Sequence, residues 1–202
     1  MHKKEDMIGQ STEVRSPTAD EMDHAVTAIV TAFLTDPAAR FAWPAARDYL
    51  QSMPLATREF AGSSFQRGTA LVSADSCGAA LWLPPGVQPK GEALEKVFRD
   101  TANRENLADL LATFDKMEQA HPKQAHWYLA MIGVEPNAQG KGLGAQLMRH
   151  SVARCDQEGE LAYLETSNPR NVALYQRFGF EVMGEFQVGS APLVTSMLRQ
   201  PR

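Results

Sequence analysis

Cysteine is scarce in this chain of 202 residues, which contains only Cys77 and Cys155. The two lie far apart, so neither a disulfide framework nor a zinc site with closely spaced thiolates is predicted. We expect both to be buried thiols in a reducing compartment, because free cysteine usually packs as a small hydrophobe. His, Cys, Asp and Glu are nowhere clustered at ligand spacing, so no metal is predicted.

Long apolar segments are also missing. No run reaches the roughly 20 residues that span a bilayer. The N-terminal sequence MHKKEDMIGQ has positive charge but no apolar segment behind it, unlike a secretory signal. We therefore expect a cytoplasmic protein that binds no membrane, with a mobile tail over residues 1–10 and a single domain over residues 11–202.

Basic residues are in slight deficit, with 20 Lys and Arg against 24 Asp and Glu and a net charge of −4. The chain lacks the broad positive surface that holds nucleic acid. Nucleic-acid binding is therefore not predicted, and any anionic ligand must be held by a local site.

The order of predicted elements is mixed. Strands are predicted over 12–15, 69–74, 77–83, 126–134, 161–166, 180–186 and 194–198, and helices over 20–33, 45–65, 92–98, 107–119, 140–158 and 171–178. Asp36-Pro37 is expected to end the first helix. Single strands that alternate with helices and end in a strand pair predict an α/β layered domain with a sheet that is part parallel and part antiparallel.

The most informative segment is the glycine-rich turn between the strand over 126–134 and the following helix. Gly140, Gly142 and Gly144 alternate there, which removes Cβ atoms around a helix N-terminus and lets backbone N–H groups approach a ligand. Those N–H groups lack partners within the helix, and the helix dipole adds positive potential. Such a turn suits a phosphate or pyrophosphate.

Other phosphate-binding motifs fit the turn less well. A Walker loop needs Ser or Thr after Lys141, but Gly142 stands there. A dinucleotide fingerprint that begins at Gly140 needs a last glycine where Ala145 stands, so it fits only if alanine replaces that glycine. A glycine-rich helix start that binds nothing is the further alternative.

The segment Gln139-Gly140-Lys141-Gly142-Leu143-Gly144 matches Q/R-x-x-G-x-G/A and resembles the pyrophosphate loop of the GNAT family of N-acetyltransferases. The strand Trp127 to Val134, the segment Leu164 to Asn168 and the motif N-x-x-x-Y-x-x-x-G-F from Asn171 to Phe180 resemble the same family in the same order. Within the family the chain is most similar to puromycin N-acetyltransferase-like members, but the segments before about Lys123 match less well, so the acceptor does not carry over.

This resemblance implies the fold and the cofactor. The fold would be a GNAT-like mixed sheet of six to seven strands, flanked by helices, with splayed central strands and a bulge in the first of them. The donor would be acetyl-CoA, with its pantetheine arm in the splay. The residues implied to contact it are Ile132, Gly133, Val134, Gln139, Gly140, Lys141, Gly142, Leu143, Gly144, Asn168, Asn171 and Tyr175.

The resemblance also places Tyr175 in the general-acid position, where a phenol hands its proton to the departing thiolate. The alternative is an aromatic core residue. Glu165, at the end of a strand beside the cleft, is a candidate base for the amine, and the alternative is a carboxylate that orders nearby backbone or pairs with Arg170. His126 is a weaker candidate base.

The acceptor pocket is expected in three variable parts, namely the turn 36–44, the strand that carries Trp82 and the helical region 91–119. Phe41, Trp43 and Trp82 suggest an apolar or aromatic amine. The leading hypothesis is acetylation of a small-molecule amine by direct transfer in a ternary complex. Acetylation of a protein N-terminus or lysine, and binding of acyl-CoA or a drug without turnover, stay open, as does a monomer or a homodimer.

Overall fold

The computed structural model describes residues 13–202, so the tail expected over residues 1–10 lies outside the described residues. The strands are β1 Val14–Arg15, β2 Ala70–Ser73, β3 Gly78–Leu83, β4 His126–Val134, β5 Leu161–Thr166, β6 Glu181–Phe186 and β7 Val194–Arg199. The helices are α1 Met22–Ala32, α2 Pro37–Ala42, α3 Ala46–Ala61, α4 Ser63–Gln66, α5 Gly91–Thr101, α6 Leu107–Ala120, α7 Leu143–Glu158 and α8 Pro169–Arg177.

The seven strands form one sheet in the order β1-β2-β3-β4-β5-β7-β6. Strands β4 and β5 are parallel, and every other neighbouring pair is antiparallel. This arrangement confirms the predicted mixed sheet of six to seven strands. It places the single parallel pair at the centre, where the helix α7 crosses from one strand to the next.

Helices cover both faces of the sheet. The alternation of side chains along β3 sends Ala79 and Leu81 into a core with α1, α3, α5 and α6, and sends Ala80 and Trp82 into a second core with α7. Because both faces are covered, β3 is apolar and buried along its whole length, instead of alternating between apolar and polar residues.

Two predicted boundaries were wrong. Asp36-Pro37 does not merely end α1, because the Asp36 carboxylate accepts a bond from the Ala39 N–H at 3.0 Å and Pro37 fits the first helical turn, so a new helix α2 begins there. The helix predicted over 45–65 is divided at Gly62 into α3 and α4. The first difference reflects local capping by Asp36, which hydrophobic spacing does not report.

The structure can be compared with two expectations, the burial of both cysteines and the lack of a membrane-spanning segment. Cys155 is buried in the core as expected, whereas Cys77 is partly exposed in the turn before β3. Over residues 13–202, no helix combines the length and the apolar character of a bilayer-spanning segment.

Candidate active site

The centre of the sheet opens into a cleft. Strand β5 pairs only with the first three residues of β4, His126 to Tyr128, and the rest of β4 pairs with β3 alone. The register between β3 and β4 shifts so that Ala130 is an extra residue in β4, which is a β-bulge. The predicted bulge and splay are therefore both present, and they leave backbone groups of β4 facing a gap.

Gly133 lines this cleft where β4 packs against α1. A Cβ atom on Gly133 would be 2.5 Å from the Cβ atom of Ala32 in α1. Glycine is therefore required for α1 to pack against the distal half of β4, and the position of the strand edge depends on that contact.

The glycine-rich turn lies at the end of β4. Gly140 and Gly142 have φ angles of 77° and 84°, in the left-handed region that favours glycine. The Gln139 side-chain amide donates to the Val134 carbonyl at 3.0 Å and ties the turn to β4. No side chain caps α7 at Gly142, so the first N–H groups of this helix are left for a ligand.

A cavity of about 770 Å³ joins the cleft to the glycine-rich turn. Of the predicted cofactor residues, it is lined by Ile132, Gly133, Val134, Gln139, Gly140, Gly142, Leu143, Gly144, Asn168, Asn171 and Tyr175. Lys141 does not line it and its side chain is exposed. The turn therefore faces the cavity through backbone and glycine, which suits a diphosphate bound by N–H groups.

Helix α8 forms the opposite wall. The Asn168 side chain caps it by accepting from the Arg170 N–H at 3.1 Å. Arg170 and Arg177 line the cavity and bring positive charge to it. These two arginines are better placed for an anionic ligand than Arg154, which pairs with Glu158 away from the cavity.

Tyr175 of α8 lines the cavity and is 5% exposed. Its ring packs edge-on against Phe180, with 6.2 Å between the ring centroids. Tyr175 therefore also has the core-packing role that was the alternative in the sequence analysis. Burial, with a smaller contribution from the Asp36 charge, raises the pKa of its hydroxyl above the ordinary value. The phenol is therefore protonated across the physiological range and is available as a proton donor.

Glu165 is the most perturbed carboxyl group at the cavity, and its side chain is 1% exposed. The Tyr163 hydroxyl donates to Oε1 at 2.9 Å, while Oε2 is buried and has no hydrogen-bond partner among the described residues. Burial raises the pKa of Glu165 to about 8, although the Tyr163 and Tyr128 hydroxyls offset part of the rise. An orphaned buried oxygen on a carboxyl of this pKa is suited to accept a proton from a ligand.

The basic side chain beside Glu165 is a histidine, not Arg170. His121 Nε2 lies 3.5 Å from Glu165 Oε1, and His121 Nδ1 lies 3.0 Å from His126 Nε2. His126, the weaker candidate base, thus contacts the histidine and not the carboxyl. Sequence reasoning missed His121, because nothing in the local pattern connects the end of α6 to β5.

The far end of the cavity is aromatic. Its walls there include Phe33, Phe41, Trp43, Phe60, Phe98 and Phe114. Trp82, predicted to line the acceptor pocket, instead packs in the opposite core and donates from its indole nitrogen to Ser151 Oγ at 2.8 Å. That prediction was wrong, because alternation along β3 sends Trp82 to the α7 face.

Asp36 also reaches this cavity and was not singled out as a site residue. Its carboxylate accepts from Ser167 Oγ at 3.0 Å and from the Ala39 N–H, so it is already satisfied. Burial raises its pKa above the ordinary value. Asp36 therefore ties α2 to the end of β5, and Glu165 remains the cavity carboxyl with an unpartnered oxygen.

Comparison with known proteins finds similarity to acetyltransferases. Residues 110–180 match the model of the acetyltransferase (GNAT) family. An uncharacterised N-acetyltransferase of Schizosaccharomyces pombe is 31% identical over 132 residues, which are 56% of this chain and 51% of that protein. The chain therefore spans about half the length of this curated relative.

Two solved structures are similar to this chain over nearly its whole length. A Corynebacterium glutamicum protein, described as a histone acetyltransferase and related acetyltransferase, has a TM-score of 0.67 at 26% identity and covers 94% of this chain and 96% of its own. An agmatine N-acetyltransferase has a TM-score of 0.66 at 16% identity and covers 93% of this chain and 98% of its own. The second likeness shows the fold alone.

Proposed function

We propose that the chain transfers an acetyl group from acetyl-CoA to a primary amine of a small molecule, as supported by its similarity to the acetyltransferase (GNAT) family. Direct transfer, with both substrates bound together, fits one cavity that runs from the glycine-rich turn to an aromatic far end, which we call the acceptor chamber. The observation that carries the proposal is the unpartnered, buried Oε2 of Glu165 at this cavity.

The glycine-rich turn and α8 would hold the donor. Left-handed Gly140 and Gly142 have open space where a Cβ atom would stand, and the N-terminus of α7 has no side-chain cap. These features fit a diphosphate, and the splay of β4 from β5 fits the arm attached to it. Acetyl-CoA, when bound, supplies an acetyl group activated as a thioester.

Glu165 would take the proton that the amine must lose before it attacks. An amine enters largely as an ammonium ion at neutral pH, and its positive charge favours the carboxylate form of Glu165, which releases its own proton to solvent as the ammonium ion binds. Oε2 is then the acceptor at hand, because Oε1 already bonds Tyr163. The pKa of about 8 lies near neutral pH, which is where general-base catalysis is most effective.

Tyr175 would protonate the sulfur that departs. Its hydroxyl stays protonated because burial raises its pKa. Backbone N–H groups on the unpaired edge of β4 would stabilise negative charge on the acetyl oxygen, as in an oxyanion hole. The three elements that supply these groups, β4, β5 and α8, border the same cavity.

The acceptor chamber favours a compact amine with an apolar or aromatic body. Phe98 of α5, Phe114 of α6 and Phe60 of α3 line it, so these helices enclose the place where a polypeptide would have to lie. The description of the Corynebacterium protein as a histone acetyltransferase keeps protein acetylation as the second candidate. The agmatine enzyme, which has the same fold, acts on a small amine.

A panel of amines tests the proposal, with free thiol as the measured product. Phenylalkylamines, polyamines, puromycin and a histone-tail peptide are incubated with acetyl-CoA, and coenzyme A alone is tested for thermal stabilisation. We expect stabilisation by coenzyme A and the highest turnover with an aromatic small amine. Turnover of the peptide alone would replace the proposed acceptor class, and stabilisation without any turnover would leave a binding domain.

A further inference from the structure

Two histidine rings form a chain that ends at Glu165. His121 follows the last residue of α6, and His126 begins β4. His126 Nδ1 lies 2.8 Å from the Gln124 carbonyl oxygen, His126 Nε2 lies 3.0 Å from His121 Nδ1, and His121 Nε2 lies 3.5 Å from Glu165 Oε1. The first two contacts are hydrogen bonds, and the third is a longer contact in which His121 Nε2 faces Glu165.

The contact between His126 Nδ1 and the Gln124 carbonyl oxygen determines which ring nitrogens carry hydrogens in the other two contacts. A carbonyl oxygen only accepts, so His126 Nδ1 must carry a hydrogen. While the His126 ring is neutral, its Nε2 then has a lone pair, and His121 Nδ1 must donate to it. The neutral His121 ring is left with a lone pair on Nε2, the nitrogen that faces Glu165.

His121 is held as a neutral ring. Tyr128 and Tyr163 pack against it with ring centroids 4.5 Å and 4.6 Å away. Burial, and then the neighbouring His126, lower the pKa of His121 to about 4. The ring is therefore neutral at neutral pH and not a cation, and its Nε2 faces Glu165.

The other groups around Glu165 are accounted for. Tyr163 on its own strand donates to it, and Tyr128 approaches from β4. Ser196 of β7 stands opposite Glu165 in the sheet, and Asp36 bonds Ser167 two residues further along the chain. None of these groups supplies a positive charge, so the carboxyl has two phenols and one imidazole nitrogen around it.

We propose that His126 is a positioning residue that fixes the tautomer of His121, so that His121 presents a lone pair to Glu165 and keeps this carboxyl in its neutral acid form until the amine arrives. A lone pair attracts the acid form, whose O–H is a donor, and repels the carboxylate. This control rests on the proposed function of Glu165 as the base, and it adds a residue that lies outside the acceptor chamber.

Two substitutions of His126 separate this role from a structural one. His126→Leu removes the acceptor for His121 Nδ1, which frees His121 to carry its hydrogen on Nε2 and donate to the Glu165 carboxylate. His126→Gln keeps a side-chain oxygen that can accept from His121 Nδ1. Because His126 is partly exposed at the first residue of β4, both variants are expected to fold, and thermal unfolding checks it.

Nuclear magnetic resonance measures the effect without turnover. Nitrogen-15 shifts of the histidines report which nitrogen of His121 carries the hydrogen, and carbon-13 shifts of the glutamate carboxyls, with Glu165→Gln for assignment, follow the titration of Glu165. We expect an Nδ1–H form in the native protein and in His126→Gln. In His126→Leu we expect the Nε2–H form and a Glu165 titration lower by about one pH unit.

Kinetics then test the control by His126 separately from the proposed function of Glu165 as the base. The pH profile of kcat/KM should shift downward by the same interval in His126→Leu and stay in place in His126→Gln. An Nε2–H form of His121 in the native protein, or a Glu165 titration unmoved by His126→Leu, would overturn the control by His126. A shifted titration in a protein that acetylates no amine would instead reject the proposed function.

Discussion

At the scale of single residues, burial raises the pKa of both side chains proposed to transfer protons. Burial raises the pKa of Glu165 to about 8, close to the pH at which it would accept a proton. Burial also raises the pKa of Tyr175, which keeps its hydroxyl protonated but makes it a weaker acid toward a departing thiolate. The same physical cause thus strengthens Glu165 as a base, whereas Tyr175 would depend on its position beside the sulfur to act as an acid.

Glu165→Gln tests the base. The native kcat/KM should rise with pH through about 8, because only the carboxylate accepts a proton and the free protein determines this profile. With an amine whose own pKa lies well above 8, the variant should lose this limb and retain the one that belongs to the amine. An unchanged limb near pH 8 would assign it to another group.

The same carboxyl makes stability depend on pH, which gives a readout independent of activity. The pKa of Glu165 is higher in the folded protein than in the unfolded chain, so between about 4.5 and 8 the folded state binds the extra proton. Its contribution to stability is therefore full below this window and is lost as pH rises through it. Urea unfolding at pH 5 and pH 8 should show a smaller loss in Glu165→Gln than in the native protein.

Tyr175→Phe tests the acid. The ring and its contact with Phe180 are retained while the hydroxyl is removed, so we expect kcat to fall by about 100-fold with little change in KM for acetyl-CoA. Steady-state kinetics at saturating amine measure both. A kcat equal to that of the native protein would leave Tyr175 with its packing role alone.

At the scale of elements, the two ends of α7 have the same backbone conformation and different surroundings. Gly142 at the start and Gly159 at the end both have left-handed φ angles with open space around the Cβ position. Gly142 lines the cavity and Gly159 does not. One helix therefore supplies both the ligand-facing glycine and its control.

Gly142→Asp should abolish binding of coenzyme A, because it adds a side chain and a negative charge where a diphosphate is expected. Gly159→Asp should cost a similar amount of stability, about 1 kcal/mol for a non-glycine residue in the left-handed region, and leave binding intact. Calorimetric titration with coenzyme A measures the affinity. Equal affinity in the two variants would contradict the placement of the diphosphate.

At the scale of the whole molecule, a buried arginine in β7 connects this strand to α7 and to the end of α8. Arg199 of β7, 3% exposed, makes a bidentate pair with Asp156 near the end of α7 at 2.7 Å and 2.8 Å. Its Nε donates to the Phe178 carbonyl just after α8 at 2.7 Å. The two helices that border the cofactor side of the cavity are thus tied to the same strand.

Arg199→Met should destabilise the protein by about 2–3 kcal/mol, because it removes the side-chain donor of the Phe178 carbonyl and leaves Asp156 with the Arg202 N–H as its remaining donor. Asp156 is partly exposed, so water recovers part of the loss. Lys96→Met, which breaks an exposed pair with Asp100, should cost less than about 0.5 kcal/mol. Urea unfolding compares the two, and equal losses would show that the Arg199 contacts contribute little.

Local sequence determined the bounds of the central strands and the conformation of the glycine-rich turn. The bounds of β4 and β5 are as predicted, since their apolar runs end at clear turn signals. Glycine adopts the left-handed region without a steric penalty, and Gly140 and Gly142 do so here, so the turn and its helix could be recognised from spacing alone. Lys141 shows the limit of such spacing, because a residue within a motif does not have to face the ligand.

Tertiary structure alone decided which distant residues meet. His121 reaches Glu165 because β4 and β5 are parallel over three residues and then diverge. Trp82 is excluded from the cavity by strand alternation, and Asp36 enters it by capping a helix that hydrophobic spacing does not predict. Burial, which sets the pKa of Glu165 and Tyr175, is a property of the assembled cavity, and no local segment contains it.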